Sequence, residues 1–354
     1  MCNSETIRIK FLAKFKPDRD GAGWENCFPG PPDAPTRWGN CEFVFDRHCR
    51  DYDWLVVWDD LPSVSGERHT LWVEPLACPR ENTLLVTTEP STVKVYGSGF
   101  LRQFGHVLTS QEPSAIGRHP GAIYSQTSYV WFYAANQPRA SYDYIKAHVP
   151  LNKTGEISAV CSTKQQRHTL HHRRYNFVME LKALIPEMEL FGRGVRFVED
   201  KADALDPFKY HVAIENFHGI HHWTEKLADP FLGCCMPVYY GCPNAEDYFP
   251  AESFLRIDLA DAAAAAETIR RAMRDRLYEK SLPAILESRR RVLEKYAPVA
   301  QVCRIVNEHH QANAPAPAPG DEILSRHAFR RRSWVNGVSY AMEKATVALR
   351  HRLR

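Results

Sequence analysis

The segment Ile214-Glu215-Asn216-Phe217-His218-Gly219-Ile220-His221-His222-Trp223-Thr224-Glu225-Lys226 is the densest polar cluster of the chain. Two carboxylates, an amide, three imidazoles, a hydroxyl and an ammonium follow an apolar run that ends at Ile214. Thr224 is of a type that caps helices, and a helix starting there would offer free backbone N–H groups beside Lys226, an arrangement suited to phosphate. The alternative is a solvated loop with a capping threonine. Pro230 complicates the helix: it would kink the segment, or Asp229-Pro230 would mark a second start. The histidines at 218, 221 and 222, with cysteines at 234, 235 and 242 downstream, raise the question of a metal. Neither a His-Glu-x-x-His helix nor a Cys-x-x-Cys pair is present, so these histidines are expected to bond or titrate locally, with no metal.

A cluster of this kind binds ligands when a strand precedes it and a helix follows it at the carboxyl edge of an open α/β sheet. The second half of the chain has that rhythm. Ile157–Cys161, Met188–Phe191, His211–Ile214, Met236–Tyr240 and Phe254–Ile257 read as strands. Arg174–Leu184, a piece around 225–235, Ala262–Arg274 and Tyr278–Tyr296 read as helices. Their order is that of a Rossmann-like domain. Nearer the start, Ile7–Phe15, Trp54–Trp58 and Thr83–Thr88 read as strands, spaced widely enough for crossovers, with turn chemistry at Phe28-Pro29-Gly30-Pro31-Pro32. Pro150–Gly155 breaks both periodicities and sets a boundary near 150. The expected fold class is α/β: an acceptor-binding Rossmann-like domain over 1–150, a donor-binding one over 151–312, a Pro/Ala linker at 313–320 and a basic amphipathic tail over 321–354.

Composition excludes several function classes. At 354 residues, 44% hydrophobic and 25% charged, the chain is an ordinary globular protein rather than a disordered one. No apolar run is long enough to span a membrane and no signal peptide is evident, so a soluble, cytoplasmic protein is expected. A phosphate loop and a Gly-x-Gly-x-x-Gly turn are both missing, which argues against P-loop and classical dinucleotide chemistry. The ten cysteines are expected to be reduced and mostly buried.

The formal charge of +3 is too balanced for a whole-chain nucleic-acid binder, but it hides an uneven distribution. Residues 321–354 hold eight Lys/Arg against three acids, a net of +5. There Trp334, Val338, Met342, Ala345, Leu349 and Leu353 recur at helical spacing. This basic amphipathic helix is expected to dock on an anionic membrane surface, placing the protein peripherally on the inner face; a packed homodimer helix is the alternative.

Taken in order, Tyr210-His211-Val212-Ala213-Ile214-Glu215-Asn216, Thr224-Glu225-Lys226 and Pro237-Val238-Tyr239-Tyr240-Gly241 resemble the signature of the α-1,3-fucosyltransferases, glycosyltransferase family 10. That pattern is an aromatic-rich strand ending Phe-Glu-Asn, a short loop, Tyr-x-Thr-Glu-Lys, and an apolar strand Pro-Val/Ile-x-x-Gly. The spacing from Asn216 to Thr224 matches without a gap. Phe191-Gly192-Arg193-Gly194, Lys201 and Lys209-Tyr210 fit before the motif, as do Phe249-Pro250 and Ser253–Asp258 after it. The likeness covers roughly residues 157–260 and is faint in the N-terminal domain.

The resemblance implies a fold of the glycosyltransferase B type, two Rossmann-like domains facing across a cleft. It implies GDP-fucose as donor substrate, a glycan hydroxyl as acceptor, inversion at the anomeric carbon, and neither cofactor nor essential metal. Surface polysaccharide synthesis is the expected setting; the alternatives are another nucleotide-sugar donor on the same fold, or a non-catalytic protein whose basic tail binds lipid or nucleic acid. Arg174 and Lys226 would bind the diphosphate, Glu225 would hold sugar hydroxyls, and Asn216 would line the donor pocket. Glu89 would be the general base, although Thr87-Thr88-Glu89-Pro90 departs from the family's Gly-Glu. His222 stands where the family usually has tyrosine, and would hydrogen-bond the donor or signal a different sugar.

Overall fold

The computed structural model describes residues 6–14, 23–31, 33–127, 129–136, 139–161, 170–192 and 194–353. Phe15, Pro32 and Arg193, and the last residue of the 321–354 segment, lie outside the described residues. Two compact units emerge: Met1–Ser128 with Pro298–Arg354, and Tyr129–Ala297.

The first unit opens with β1 (Ile7–Ala13), β2 (Arg37–Trp38), β3 (Cys41–Val44), β4 (Trp54–Trp58), β5 (Val73–Pro75) and β6 (Thr83–Val86). A short α1 (Ser98–Leu101), β7 (His106–Thr109) and β8 (Ala122–Tyr124) follow. Seven strands form one sheet in the order β2-β3-β1-β4-β6-β7-β8, and β2–β3 is its one antiparallel pair. Central strands of a parallel sheet are covered on both faces, which explains the unbroken apolar run of β4, where Trp54 through Val57 are fully buried.

The second unit runs α2 (Tyr142–Ala147), β9 (Gly155–Val160), α3 (His171–Leu184), β10 (Glu189–Phe191) and β11 (Phe208–Ile214). It continues with α4 (Glu225–Leu232), β12 (Met236–Tyr240), β13 (Leu255–Arg256), α5 (Ala262–Arg274) and α6 (Leu277–Glu294). Its sheet order is β10-β9-β11-β12-β13 with every pair parallel, Tyr210 standing opposite both Ile157 and Met236. The first strand lies inside the sheet, so the chain winds outward from it in both directions. The connections leaving β9 and β11 therefore diverge, and a crevice opens at their carboxyl ends. Pro230 does not start a second helix: it lies in the second turn of α4, which ends two residues later.

The chain then returns to the first unit as α7 (Pro298–His309), β14 (Glu322–Leu324), α8 (Arg326–Arg332) and α9 (Trp334–Arg352). This corrects the expected boundaries. The second unit starts at 129 rather than 151 and ends at 297 rather than 312. Nor is 321–354 a separate tail, because β14 pairs antiparallel with β5, Ile323 opposite Glu74, and Ile323 is fully buried in the first unit's core. The Pro150–Gly155 break marks only the entry into β9. No local pattern tells which sheet an apolar helix such as α7 will cover, and its Val299, Val302, Ile305 and Val306 are all fully buried.

Candidate functional site

At the β9/β11 crevice a cavity of about 220 Å³ is lined by Arg174, Lys201, His211, Glu225 and Lys226, with Phe132, Val160, Val178 and Val212–Ile214 as its apolar wall. Every charged group in it sits at an element end. Arg174 is in the first turn of α3, after β9. Glu225 and Lys226 open α4, whose cap Thr224 accepts the Lys226 backbone N–H on its side-chain oxygen. Lys201 comes from the turn that precedes β11.

Glu215 holds the loop between β11 and α4 in place. Fully buried at the end of β11, it accepts the Thr224 N–H at 2.8 Å and the Thr224 hydroxyl at 2.7 Å. Burial pushes its carboxyl up from the usual carboxylate range, opposed by Lys226, whose Nζ lies 3.8 Å away. The close approach of Gly241 explains the last residue of the apolar motif strand. A Cβ there would fall 2.3 Å from Glu215 Cγ and 2.6 Å from the Tyr239 hydroxyl.

Lys226 Nζ donates to Glu225 Oε1 at 2.8 Å and to Thr224 Oγ1 at 3.3 Å. Burial alone would raise the Glu225 carboxyl; Lys226 and Lys201, with hydrogen bonds from Lys226 and Thr224, outweigh it and hold the group at about 2. The same carboxylates raise Lys226 against its own burial. Near neutral pH Lys226 is therefore held as a cation and Glu225 as an anion. Lys201 Nζ bonds Asp229 Oδ2 at 2.8 Å, and the fully buried Asp229 also accepts the Phe132 N–H at 3.1 Å. His211 pairs with Ser158 at 2.8 Å, and burial depresses it well below the ordinary histidine range, so it is neutral.

Arg174, Glu225 and Lys226 come together as the sequence suggests. The half-buried Arg174 donates from Nη1 to Asn216 Oδ1 at 2.8 Å, while its buried Nε has no hydrogen-bond partner among the described residues. Asn216 is thus not part of the cavity lining; it stands behind Arg174 and orients it. His222 is also outside the lining, buried edge-on against Phe217 and Tyr129 at 5.3 and 5.9 Å between ring centroids. Burial, helped by Lys226, depresses it to about 3. Glu89 belongs to the other unit, exposed on a bend after β6.

The three histidines do not converge. His218 lies against Tyr240, His221 Nδ1 bonds the Tyr248 hydroxyl at 2.7 Å, and His222 is buried. Among the described residues no three His, Cys, Asp or Glu side chains gather as a metal cage requires. Seven of the nine described cysteines are buried, and all nine are free thiols.

In the sequence Lys201 carries no role of its own, and no pattern singles out Asp229, His211 or Phe132 for the site. Lys201 and Asp229 are 28 residues apart and meet only through the fold. The one readable signal was a lysine before the strand that carries the motif.

Chemically, three cations line the cavity. Two have carboxylate partners and the third has an unpaired buried N–H. That set suits an oxyanion with several acceptor oxygens. Residues 150–314 match the family model described as glycosyltransferase family 10 (fucosyltransferase), C-terminal. This segment is similar to glycosyltransferase family 10. The charged lining of the cavity lies inside the matched segment, which Phe132 of the apolar wall precedes. In comparisons with known proteins, the chain is 28% identical over 92 residues to an alpha-(1,3)-fucosyltransferase of Helicobacter pylori, covering 24% of this chain and 19% of that protein. It is 32% identical over 92 residues to the human 4-galactosyl-N-acetylglucosaminide 3-alpha-L-fucosyltransferase 9, 25% of each chain. The matches thus span a quarter or less of these relatives' lengths. Among solved structures, an alpha1,3-fucosyltransferase with GDP-fucose aligns at TM-score 0.48 and 15% identity over 90% of this chain and 94% of that one.

Proposed function

We propose that this chain is an inverting glycosyltransferase that moves fucose from GDP-fucose to a hydroxyl of a glycan acceptor in surface polysaccharide synthesis, at the inner face of the membrane. The observation that carries the reading is the convergence of Arg174, Lys201 and Lys226 with Glu225 on one cavity at the switch point of a segment similar to family 10. At about 220 Å³ the cavity is smaller than the roughly 300–1,000 Å³ of most small-molecule sites, so it accounts for the diphosphate end of the donor rather than the whole molecule.

In the proposed reaction the acceptor oxygen attacks the anomeric carbon from the face opposite the diphosphate. The new C–O bond forms as the bond to phosphate breaks, the diphosphate leaves with the electron pair, and the acceptor proton passes to a base. Negative charge grows on the diphosphate in this step, so Arg174 and Lys226 stabilise the transition state more than the bound donor. The carboxylate of Glu225, ionised at every physiological pH, suits the positive character that develops on the sugar ring and can accept its hydroxyls. Glu89 is our candidate for the base. No step needs a cofactor.

The test is nucleotide release from a panel of nucleotide sugars with a glycan acceptor. GDP release from GDP-fucose supports the reading. Turnover confined to another donor keeps glycosyl transfer and replaces the sugar, with His222 as the departure from the family pattern that points to it. Absence of turnover with every donor, in a chain that also fails to bind GDP, would reject it.

A further inference from the structure

In the first unit, one buried carboxamide ties down the loop that begins at Glu89. In the β6–β7 ladder Val86 stands opposite Leu108, and the Thr87 N–H donates to the Leu108 carbonyl at 3.0 Å. Carried past the ends of both strands, that register sets residue 89 beside residue 111. There a side chain continues the ladder: Gln111 Nε2 donates to the Glu89 carbonyl at 2.7 Å. The same nitrogen donates to the Lys94 carbonyl at 2.8 Å, so one amide holds both ends of the 89–94 loop. Gln111 is itself fixed. It is 2% exposed, and its backbone N–H bonds Thr109 Oγ1 at 3.0 Å, which also accepts the Thr87 hydroxyl at 2.9 Å.

The residue type matters. A primary amide carries two N–H bonds on one nitrogen and can serve two carbonyls at once; a carboxylate or a thioether in the same space can serve neither. The arrangement costs stability, because the buried Gln111 Oε1 has no hydrogen-bond partner among the described residues. The backbone just before Glu89 is held as well: the Thr88 N–H donates to the Tyr96 hydroxyl at 2.9 Å, and Thr88 Oγ1 donates to Asp59 Oδ1 at 2.9 Å. Pro90 restricts φ immediately after it. Glu89 therefore combines a fixed main chain with an exposed position, as a group must that meets a substrate atom at one place.

We infer that Gln111 is a positioning residue for the general base, its carboxamide fixing the backbone of Glu89 so that the carboxylate meets the acceptor hydroxyl in a single geometry. The inference rests on the proposed reaction with Glu89 as its base. It adds a buried residue that acts on the reaction only through Glu89.

The experiment is a double-mutant cycle on the full chain. It is read by kcat and acceptor KM with the nucleotide sugar that the donor panel selects, and by GDP affinity and melting temperature. Gln111→Met keeps the side-chain length and removes both donors. It should lower kcat by about 10- to 100-fold, as a misplaced base would, with acceptor KM changed by less than about threefold and GDP affinity unchanged. In the Glu89→Gln background the same substitution should change kcat by less than about twofold, because no base is left to misplace. Should Gln111→Met fail to fold, Gln111→Asn takes its place: it keeps the amide, sets it back by one methylene, and should show the same dependence on Glu89. Equal losses in the two backgrounds overturn the inference, as does near wild-type kcat in a folded Gln111 variant. Near wild-type kcat in the single variant Glu89→Gln is a different failure: it rejects Glu89 as the base, and the role of Gln111 falls with it.

Discussion

Arg174 Nη1 donates to Asn216 Oδ1 at 2.8 Å, joining the helix that follows β9 to the loop that follows β11. The bond spans the switch point of the sheet and fixes a guanidinium whose buried Nε–H has no hydrogen-bond partner among the described residues. Asn216 is thereby a positioning residue. Asn216→Ala should raise the dissociation constant for GDP about tenfold, the worth of a hydrogen bond to a charged group, with little change in melting temperature because the pair is only partly buried. Calorimetric titration with GDP measures this. Unchanged affinity would show that Arg174 keeps its place unaided.

Gly241 should be the least tolerant position of the apolar motif strand. The Cβ of Gly241→Ala meets Glu215 2.3 Å away, and Glu215 cannot yield without releasing Thr224. Overpacking of this kind costs about 1–3 kcal/mol. Urea unfolding should show that loss, and GDP binding should weaken with it, since Thr224 caps the helix that presents Lys226. Full stability in the variant would mean that the loop has a second way to close.

His222 sets an acid limit on stability. Its folded value of about 3 lies below the roughly 6.5 of an unfolded histidine, so between these pH values the unfolded chain binds one more proton than the folded chain. Stability therefore rises with pH by about 1.4 kcal/mol per unit through that window and levels off above about 6.5. His211 acts in the same direction. His222→Gln should lower the slope by about one proton without abolishing it. Urea midpoints across pH 4 to 8 report this, and an unchanged slope would mean that the imidazole is not shielded as its burial indicates.

How much of this was legible in the sequence depends on distance along the chain. The Glu215–Lys226 motif was readable because its working residues are contiguous: a strand end, a loop and a capped helix, each with a local signal in Ile214, Thr224 and the apolar run that follows. Arg174 was reachable through the family resemblance. Lys201 and Asp229 were not readable as a pair, because a buried ion pair between two elements leaves no periodicity in either. The role of Asn216 shifted from lining the cavity to orienting Arg174, a difference that spacing cannot express. The return of residues 298–353 to the first unit was illegible for a similar reason: the apolar faces of α7 and β14 say that they are covered, but not by what.

Lys226→Ala and Glu89→Gln separate donor binding from chemistry. In the proposed reaction Lys226 touches the diphosphate in both the bound donor and the transition state, and the charge it meets grows only in the latter. Its removal should weaken GDP binding and slow transfer together, by roughly 10- to 150-fold for a charge-assisted contact of about 1.5–3 kcal/mol. The loss should lie toward the upper end, because Glu225 and the fully buried Glu215 are then left without their cation. Glu89→Gln should leave GDP affinity unchanged, since a base acts on the acceptor, and should lower transfer by roughly 10²–10⁴ while removing the carboxylate limb of the pH–rate profile. Measured side by side, GDP affinity and single-turnover transfer place each residue. Near wild-type transfer by Glu89→Gln would move the base elsewhere in the first unit and leave the donor site intact. Near wild-type GDP affinity in Lys226→Ala would instead remove the diphosphate from the cavity, and with it the observation on which the proposed function stands.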